Sequence, residues 1–230
     1  MTTADSDAVS ATTIRAVLFD FAGVLTQPIA EAFAVCAARA GVDESLLRSV
    51  LVPMFLSADD TDLPAHRLER GEISLETFLA TLNGDAVPVR RLLDPASPSF
   101  VVGEFRPSLP MQAFAEELGQ AGRRIAVVSN TVREWLPAWE AGLTDPGLFD
   151  ALVYSSEVGT RKPSPAIFEL TLAKLGIRPE EALVLDDSLA NAMAARDMGM
   201  GAIHVTDHAT AIAEARRVCF AGLGLSLIHI

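Results

Sequence analysis

The strongest constraint on this chain is an alternation. Short apolar runs of strand length recur along it: Ile14-Arg-Ala-Val-Leu-Phe-Asp20, Arg124-Ile-Ala-Val-Val-Ser129, Ala151-Leu-Val-Tyr154, Ala182-Leu-Val-Leu-Asp186 and Gly201-Ala-Ile-His-Val205. Helical patterns lie between them, with Met111, Phe114, Ala115 and Leu118 spaced at i, i+3, i+4, i+7 and Phe168, Leu172 and Leu175 repeating similarly. A continuous apolar run suits a strand buried on both faces, and strands that alternate with helices form parallel sheets. The pattern therefore predicts an α/β fold, a three-layer Rossmann-like parallel sheet covered by helices.

The alternation is interrupted once, between the first and second runs. Residues 26–106 read almost wholly as helix, with Leu75, Phe78, Leu79 and Leu82 on one stripe and Ser74 placed as an N-cap. This predicts an inserted all-helical cap over 26–106, with a core domain built from 14–25 and 107–218. Pro95, Pro98, Pro107 and Pro110 mark an extended return from the insertion. Residues 1–13 are small and polar without periodicity, and are expected to form a disordered tail. Residues 225–230 match the translation of a transposon-end sequencing adapter and are set aside as an artefact, His229 with them.

Charge narrows the partners. Thirty acidic and eighteen basic residues give a net charge of -12, so no basic face is expected for nucleic acid. No stretch has the ~18 apolar residues of a membrane span, and the N-terminus lacks a secretory pattern, so a cytoplasmic protein, monomer or dimer, is expected. Cys36 and Cys219 have no metal spacing and are read as buried free thiols.

Polar residues close the strand ends where an open parallel sheet binds ligands. They are Asp20-Phe-Ala22-Gly-Val-Leu-Thr26, Ser129-Asn130-Thr131, Arg161-Lys162-Pro163 and Asp186-Asp187-Ser188-Leu-Ala-Asn191. A carboxylate can attack phosphorus, hydroxyl and backbone N–H groups can hold phosphoryl oxygens, and a lysine can neutralise their charge. Asp20, Asp186 and Asp187 are hard oxygen donors suited to Mg²⁺. A small phosphorylated metabolite is the partner this chemistry fits, and in a chain of charge -12 the cation and Lys162 supply the local positive potential that admits it.

In this order and spacing the motifs resemble those of the haloacid dehalogenase-like superfamily, over residues 14 to about 218. The insertion resembles its C1 cap, and Gly71-Glu-Ile-Ser-Leu-Glu-Thr-Phe78 resembles a cap segment in the N-terminal phosphatase domain of soluble epoxide hydrolases. Similarity to that group extends through Ser156-Glu-Val-Gly-Thr-Arg-Lys162-Pro and Leu185-Asp-Asp-Ser-Leu-Ala-Asn191. The resemblance implies Asp20 as nucleophile and Mg²⁺ ligand, Ser129 and Asn130 as phosphoryl hydrogen-bond donors, and Lys162 as an electrostatic clamp. It also implies a metal ligand in the backbone carbonyl of Ala22, a second metal carboxylate in Asp187, and supports in Asp186 and Asn191.

One position departs from the family's phosphatases, which carry a second Asp two residues after the nucleophile. Here it is Ala22, whose methyl group cannot transfer a proton. General acid–base help is worth ~10²–10⁴-fold, and its loss falls hardest on alkyl phosphates. The family's dehalogenases carry Tyr at this position and lose the metal carboxylate, whereas this chain keeps Asp187. Its phosphonate hydrolases need a cap lysine, and residues 26–106 contain none. The expected function is a Mg²⁺-dependent phosphatase working through an aspartyl-phosphate, with a non-catalytic phosphoryl-ligand-binding protein as the alternative.

Other polar residues have plainer readings. Glu72 is a possible substitute acid but is better read as part of a helix start. Trp139 is expected to pack, and Trp135 to pack or to line the substrate entrance. His204 is read as a satisfied core residue, His66 and His208 as solvent-facing, and Asp59, Asp60 and Asp62 as a solvated turn.

Overall fold

In a computed structural model, which describes residues 13–55, 61–84 and 89–220, β1 (Ala16–Phe19) is the central strand. It pairs in parallel with β2 (Arg124–Ser129) on one side and β4 (Ala182–Asp186) on the other. β3 (Ala151–Tyr154) and β5 (Gly201–His204) complete a parallel sheet of order β3-β2-β1-β4-β5. All four residues of β1 are buried, the reason its sequence shows no polar alternation.

The helical insertion leaves after β1. It comprises α1 (Ile29–Ala40), α2 (Glu44–Phe55), α3 (Pro64–Glu69), α4 (Leu75–Thr81) and α5 (Arg90–Leu93). Its two crossings lie side by side: the Gln27 N–H donates to the Arg106 carbonyl (2.8 Å), the Ser108 N–H to that of Leu25 (2.9 Å), and Thr26 bridges Pro107. The remaining helices flank the sheet: α6 (Leu109–Gln120), α7 (Leu136–Glu140), α8 (Ser155–Val158), α9 (Pro165–Leu175), α10 (Leu189–Asp197) and α11 (His208–Phe220).

Successive β1 residues enter opposite cores, as a period of two requires. Val17 and Phe19 pack with Met111, Phe114 and Leu118 of α6 and Ile212 and Val218 of α11. Ala16 and Leu18 pack with Ile167, Phe168 and Leu172 of α9 and Ala192 and Ala195 of α10. The three-layer α/β architecture read from the sequence is the one observed. Cys36 and Cys219 are buried free thiols, and no helix among the described residues is long and apolar enough to cross a membrane.

The α3–α4 corner rests on the core. Ser74 caps α4 by accepting the Thr77 N–H, and the Glu134 carboxylate accepts that of Leu75 (2.9 Å). Gly71 turns the corner at φ +68, where a Cβ would lie 2.3 Å from the Ser156 carbonyl oxygen.

Two histidines correct the solvent-facing expectation. His66 is fully buried, its Nδ1 accepting the Thr61 N–H (3.1 Å) on the packed face of α3. His208 is half-buried and bridges residues far apart in sequence. Asp62 is exposed opposite Arg67 and Arg70, as a solvated turn requires, while Asp59 and Asp60 lie outside the described residues, as do residues 1–12 and 225–230.

Gly71→Ala should destabilise the fold more than Gly159→Ala. Both glycines are left-handed, a conformation costing an L-residue about 1–2 kcal/mol, but only Gly71 lacks room, since nothing lies within 4 Å of a Cβ at Gly159. Urea denaturation of the two variants tests this, and equal losses would refute the close approach.

Candidate active site

The C-terminal edge of the sheet gathers the polar motifs because β1, β2 and β4 all end there. Asp20 follows β1, with the chain making one irregular turn through Phe21–Leu25 in which Ala22 is extended and Gly23 has φ +80. The turn closes on itself: the Gly23 N–H donates to Thr26 Oγ1 (2.9 Å) and the Thr26 N–H to the Phe21 carbonyl (3.1 Å). A Cβ on Gly23 would lie 2.4 Å from Asp187 Oδ2, so only glycine lets the first and last motifs meet.

Lys162 stands at the centre of the cluster. Its Nζ donates to Asp20 Oδ1 (2.8 Å) and Asp186 Oδ2 (2.6 Å), and its side chain is 1% exposed. Asp186 Oδ1 accepts from the Ser188 N–H and from Asn191 Nδ2 (3.0 Å). Asn130 fixes the lysine loop, its Oδ1 accepting the Lys162 N–H (2.8 Å) and its Nδ2 donating to the Lys162 carbonyl (2.9 Å). Trp139 Nε1 donates to Ser129 Oγ (3.1 Å) and its ring stacks on Phe21. The structure thus brings together Asp20, Ala22, Ser129, Asn130, Lys162, Asp187 and Asn191 as walls of one cavity of about 420 Å³, with Asp186 directly behind Lys162.

The electrostatics follow from crowding. One oxygen from each of Asp20, Asp186 and Asp187 lies within 4.8 Å of the others. Burial raises Asp20 to about 6 despite the opposing Lys162 charge. Burial, reinforced by Asp20 and Asp186, raises Asp187 to about 8. Burial alone would lower Lys162, but Asp186 and Asp20 raise it above its ordinary value. Asp20 Oδ1 accepts both Lys162 and the Phe21 N–H (2.6 Å), whereas Oδ2 has no hydrogen-bond partner among the described residues.

The family model of the haloacid dehalogenase-like hydrolases matches residues 14–199. The chain belongs to this family. It is 31% identical over 205 residues to mouse acyl-CoA dehydrogenase family member 10, covering 87% of this chain and 18% of that one. Pig bifunctional epoxide hydrolase 2 is 28% identical over 226 residues, with 89% and 39% covered. A glyceraldehyde 3-phosphate phosphatase of Methanothermobacter thermautotrophicus is 33% identical over 115 residues, with 49% and 50% covered. The chain therefore spans half or less of each of these relatives. Among solved structures, a predicted HAD-like family hydrolase from Porphyromonas gingivalis shares the fold at TM-score 0.62 and 24% identity, covering 89% and 98%. A HAD family enzyme from Bacteroides thetaiotaomicron in complex with magnesium and inorganic phosphate does so at 0.53 and 18%, covering 82% and 92%. Within that family this chain has the likeness to epoxide hydrolases that its motifs carry.

A buried pair that joins Arg161 of the lysine motif to a carboxylate absent from the motifs faces this cavity. Glu69, at the end of α3, accepts Arg161 Nε at 2.8 Å, and both side chains are at most 5% exposed. Glu72 is instead solvent-exposed and paired with Arg67 and Arg70, which removes it as a substitute acid. The available signal was a second carboxylate three residues before Glu72, at the helix end ahead of Gly71, and a second cation beside Lys162. Trp135 and Trp139 both line the cavity while their indole N–H groups are bound, that of Trp135 by the Leu93 carbonyl (2.9 Å). His204 is part-buried and satisfied, its Nε2 donating to the Asp187 carbonyl at 3.0 Å.

Burial raises Glu69 to about 7 against the opposing Arg161 charge. A carboxyl that holds its proton more tightly when folded contributes stability at low pH that is lost as pH rises from its ordinary value near 4.5 to about 7. Glu69→Gln should therefore flatten the fall in stability across that window, measured as urea midpoints at pH 5 and pH 8. Parallel profiles for the variant and the original chain would refute the assignment.

Proposed function

We propose that this hydrolase is a Mg²⁺-dependent phosphatase acting through an aspartyl-phosphate on Asp20. The observation that carries the reading is the convergence of Asp20, Asp186 and Asp187 around Lys162, with Asp20 Oδ2 unpartnered among the described residues. Three crowded carboxylates balanced by one lysine fit a divalent cation, and the Asp187 carboxylate accepts no hydrogen bond from another described residue. Asp20, Asp187 and the Ala22 carbonyl would hold it. When bound, the cation supplies positive charge to the phosphoryl oxygens. The Bacteroides thetaiotaomicron enzyme's complex with magnesium and phosphate supports the pairing of this fold with those ligands.

In this mechanism Asp20 Oδ2 attacks phosphorus and the bond to the ester oxygen breaks. Lys162 neutralises developing charge. Ser129 Oγ and the Asn130 main-chain N–H hold phosphoryl oxygens, because the Asn130 side chain is committed to Lys162. Ala22 offers no proton, so the departing oxygen takes one from solvent. Water then attacks the aspartyl-phosphate, releasing phosphate and restoring Asp20.

Residues 26–106 serve as the cap that closes over the substrate, hinged at the Thr26 and Pro107 crossing. Away from Asp20 and Asp187 the cavity wall is mostly apolar, with Ile29, Phe33, Phe55, Val102, Phe105 and Trp135 beside Glu69 and Arg161, which are paired with each other. A wall with so few hydrogen-bonding groups favours a small phosphorylated metabolite with an apolar body over a hydroxyl-rich sugar.

Asp20→Asn should abolish turnover while the circular dichroism spectrum is unchanged. A phosphate-release screen over alkyl, acyl, aryl and sugar phosphates, with and without Mg²⁺, tests the reading. Activity of the variant above a tenth of the original chain's would refute the nucleophile, and binding of phosphate esters without turnover of any would leave a phosphoryl-binding protein.

Ala22→Asp tests the missing acid. The gain should grow with leaving-group pKa, little for an aryl phosphate and up to ~10²-fold for an alkyl phosphate. A flat response across leaving groups would show that Ala22 does not limit the reaction.

A further inference from the structure

Two histidines four residues apart across the β5–α11 turn each hold a carbonyl of a different site loop. His204 Nε2 reaches the Asp187 carbonyl at 3.0 Å, and His208 Nε2 reaches the Gly23 carbonyl at 2.9 Å. A carbonyl can only accept, so Nε2 carries the proton in both rings. Nδ1 of His208 is hydrogen-bonded to the hydroxyl of Ser108, 2.8 Å away and fully buried.

The consequence for the site is geometric. Gly23 is held at both ends, its N–H by Thr26 Oγ1 and its carbonyl by His208. In a trans peptide the C=O points opposite to the N–H, so the bond to Thr26 aims the Ala22 carbonyl away from Thr26. Asp187 lies directly against Gly23. The Ala22 turn and the Asp187 loop come from strands β1 and β4, and one short segment from the end of β5 to the start of α11 grips both.

We propose that His204 and His208 are positioning residues that set the spacing between the Ala22 carbonyl and the Asp187 carboxylate, and thereby the affinity for the divalent cation. The inference rests on the metal reading above. It adds residues that touch no ligand and lie outside the four motifs. Groups that orient metal ligands typically change metal affinity by 10–100-fold when removed. His208 also reaches the returning crossing through Ser108, so the same ring ties the metal turn to the hinge of the insertion.

Gln and Met variants at each position make the test, since both are long and unbranched but only Gln can donate to a carbonyl. Mg²⁺ is titrated calorimetrically into the substrate-free full chain, with circular dichroism confirming that each variant is folded. His208→Gln and His204→Gln should keep the Mg²⁺ Kd within about threefold of the original chain. His208→Met and His204→Met should raise it at least tenfold, while turnover at saturating Mg²⁺ changes much less. Equal Kd values for the Gln and Met variants, with the original chain binding Mg²⁺, would overturn the brace alone. Absence of saturable Mg²⁺ binding by the original chain would overturn the metal reading and the brace with it.

Discussion

The contact of Lys162 with both Asp20 and Asp186 is the interaction on which the rest of this structure depends. A buried ammonium is costly unless paired and hydrogen-bonded, and here two carboxylates from adjacent strands meet it at 2.8 and 2.6 Å. Each partner needs its own support. Ser188 and Asn191 satisfy Asp186, the Phe21 N–H satisfies Asp20, and Asn130 grips the main chain of Lys162 from both sides. The polar groups of separate strand ends therefore form one network, in which Lys162 and Asp186 each keep more than one partner.

The helical insertion is coupled to that network through a second buried pair. Arg161 precedes Lys162, so the α3 carboxylate of Glu69 contacts the same loop that presents the lysine. Gly71 and Leu75 dock immediately afterwards against Ser156 and Glu134. One corner of the insertion is thus registered against the core while its other helices supply the apolar wall. Motion of the insertion as a whole would expose Glu69 and Arg161 together, which ties opening to the solvation of two charges.

The sheet and the motif residues were legible in the sequence for a physical reason. Strands buried on both faces leave continuous apolar runs, and the groups at their ends are forced together by parallel pairing, so Asp20, Ser129 and Asp186 could be placed before any coordinates. What was illegible depends on partners distant in sequence. His208 read as a solvent-facing histidine because Ser108 and Gly23 lie 100 and 185 residues away. Glu69 and Glu72 stand three apart, and the sequence drew notice to Glu72 alone. Their fates diverge because one reaches Arg161 across 92 residues and the other meets its sequence neighbours Arg67 and Arg70. Local patterning reports which face of an element is buried, but not which polar group on it finds a remote partner.

Ala22 has two opposed effects in this setting, and both follow from its surroundings. On the proposed mechanism it leaves no proton donor beside Asp20, which would weaken expulsion of a poor leaving group. It also keeps the cluster at three carboxylates, in a place where Asp187 is already raised to about 8 by burial and by its neighbours. A fourth would add like-charge repulsion in surroundings that screen it poorly. On the proposed phosphatase reading, the mostly apolar wall lowers the local dielectric, so the positive charge of Lys162 would act more strongly on a phosphoryl group there than in water. Stabilisation of the transferred group and loss of help to the departing group are thus set by one environment. For the proposed phosphatase, that balance would favour esters whose leaving oxygen needs little protonation.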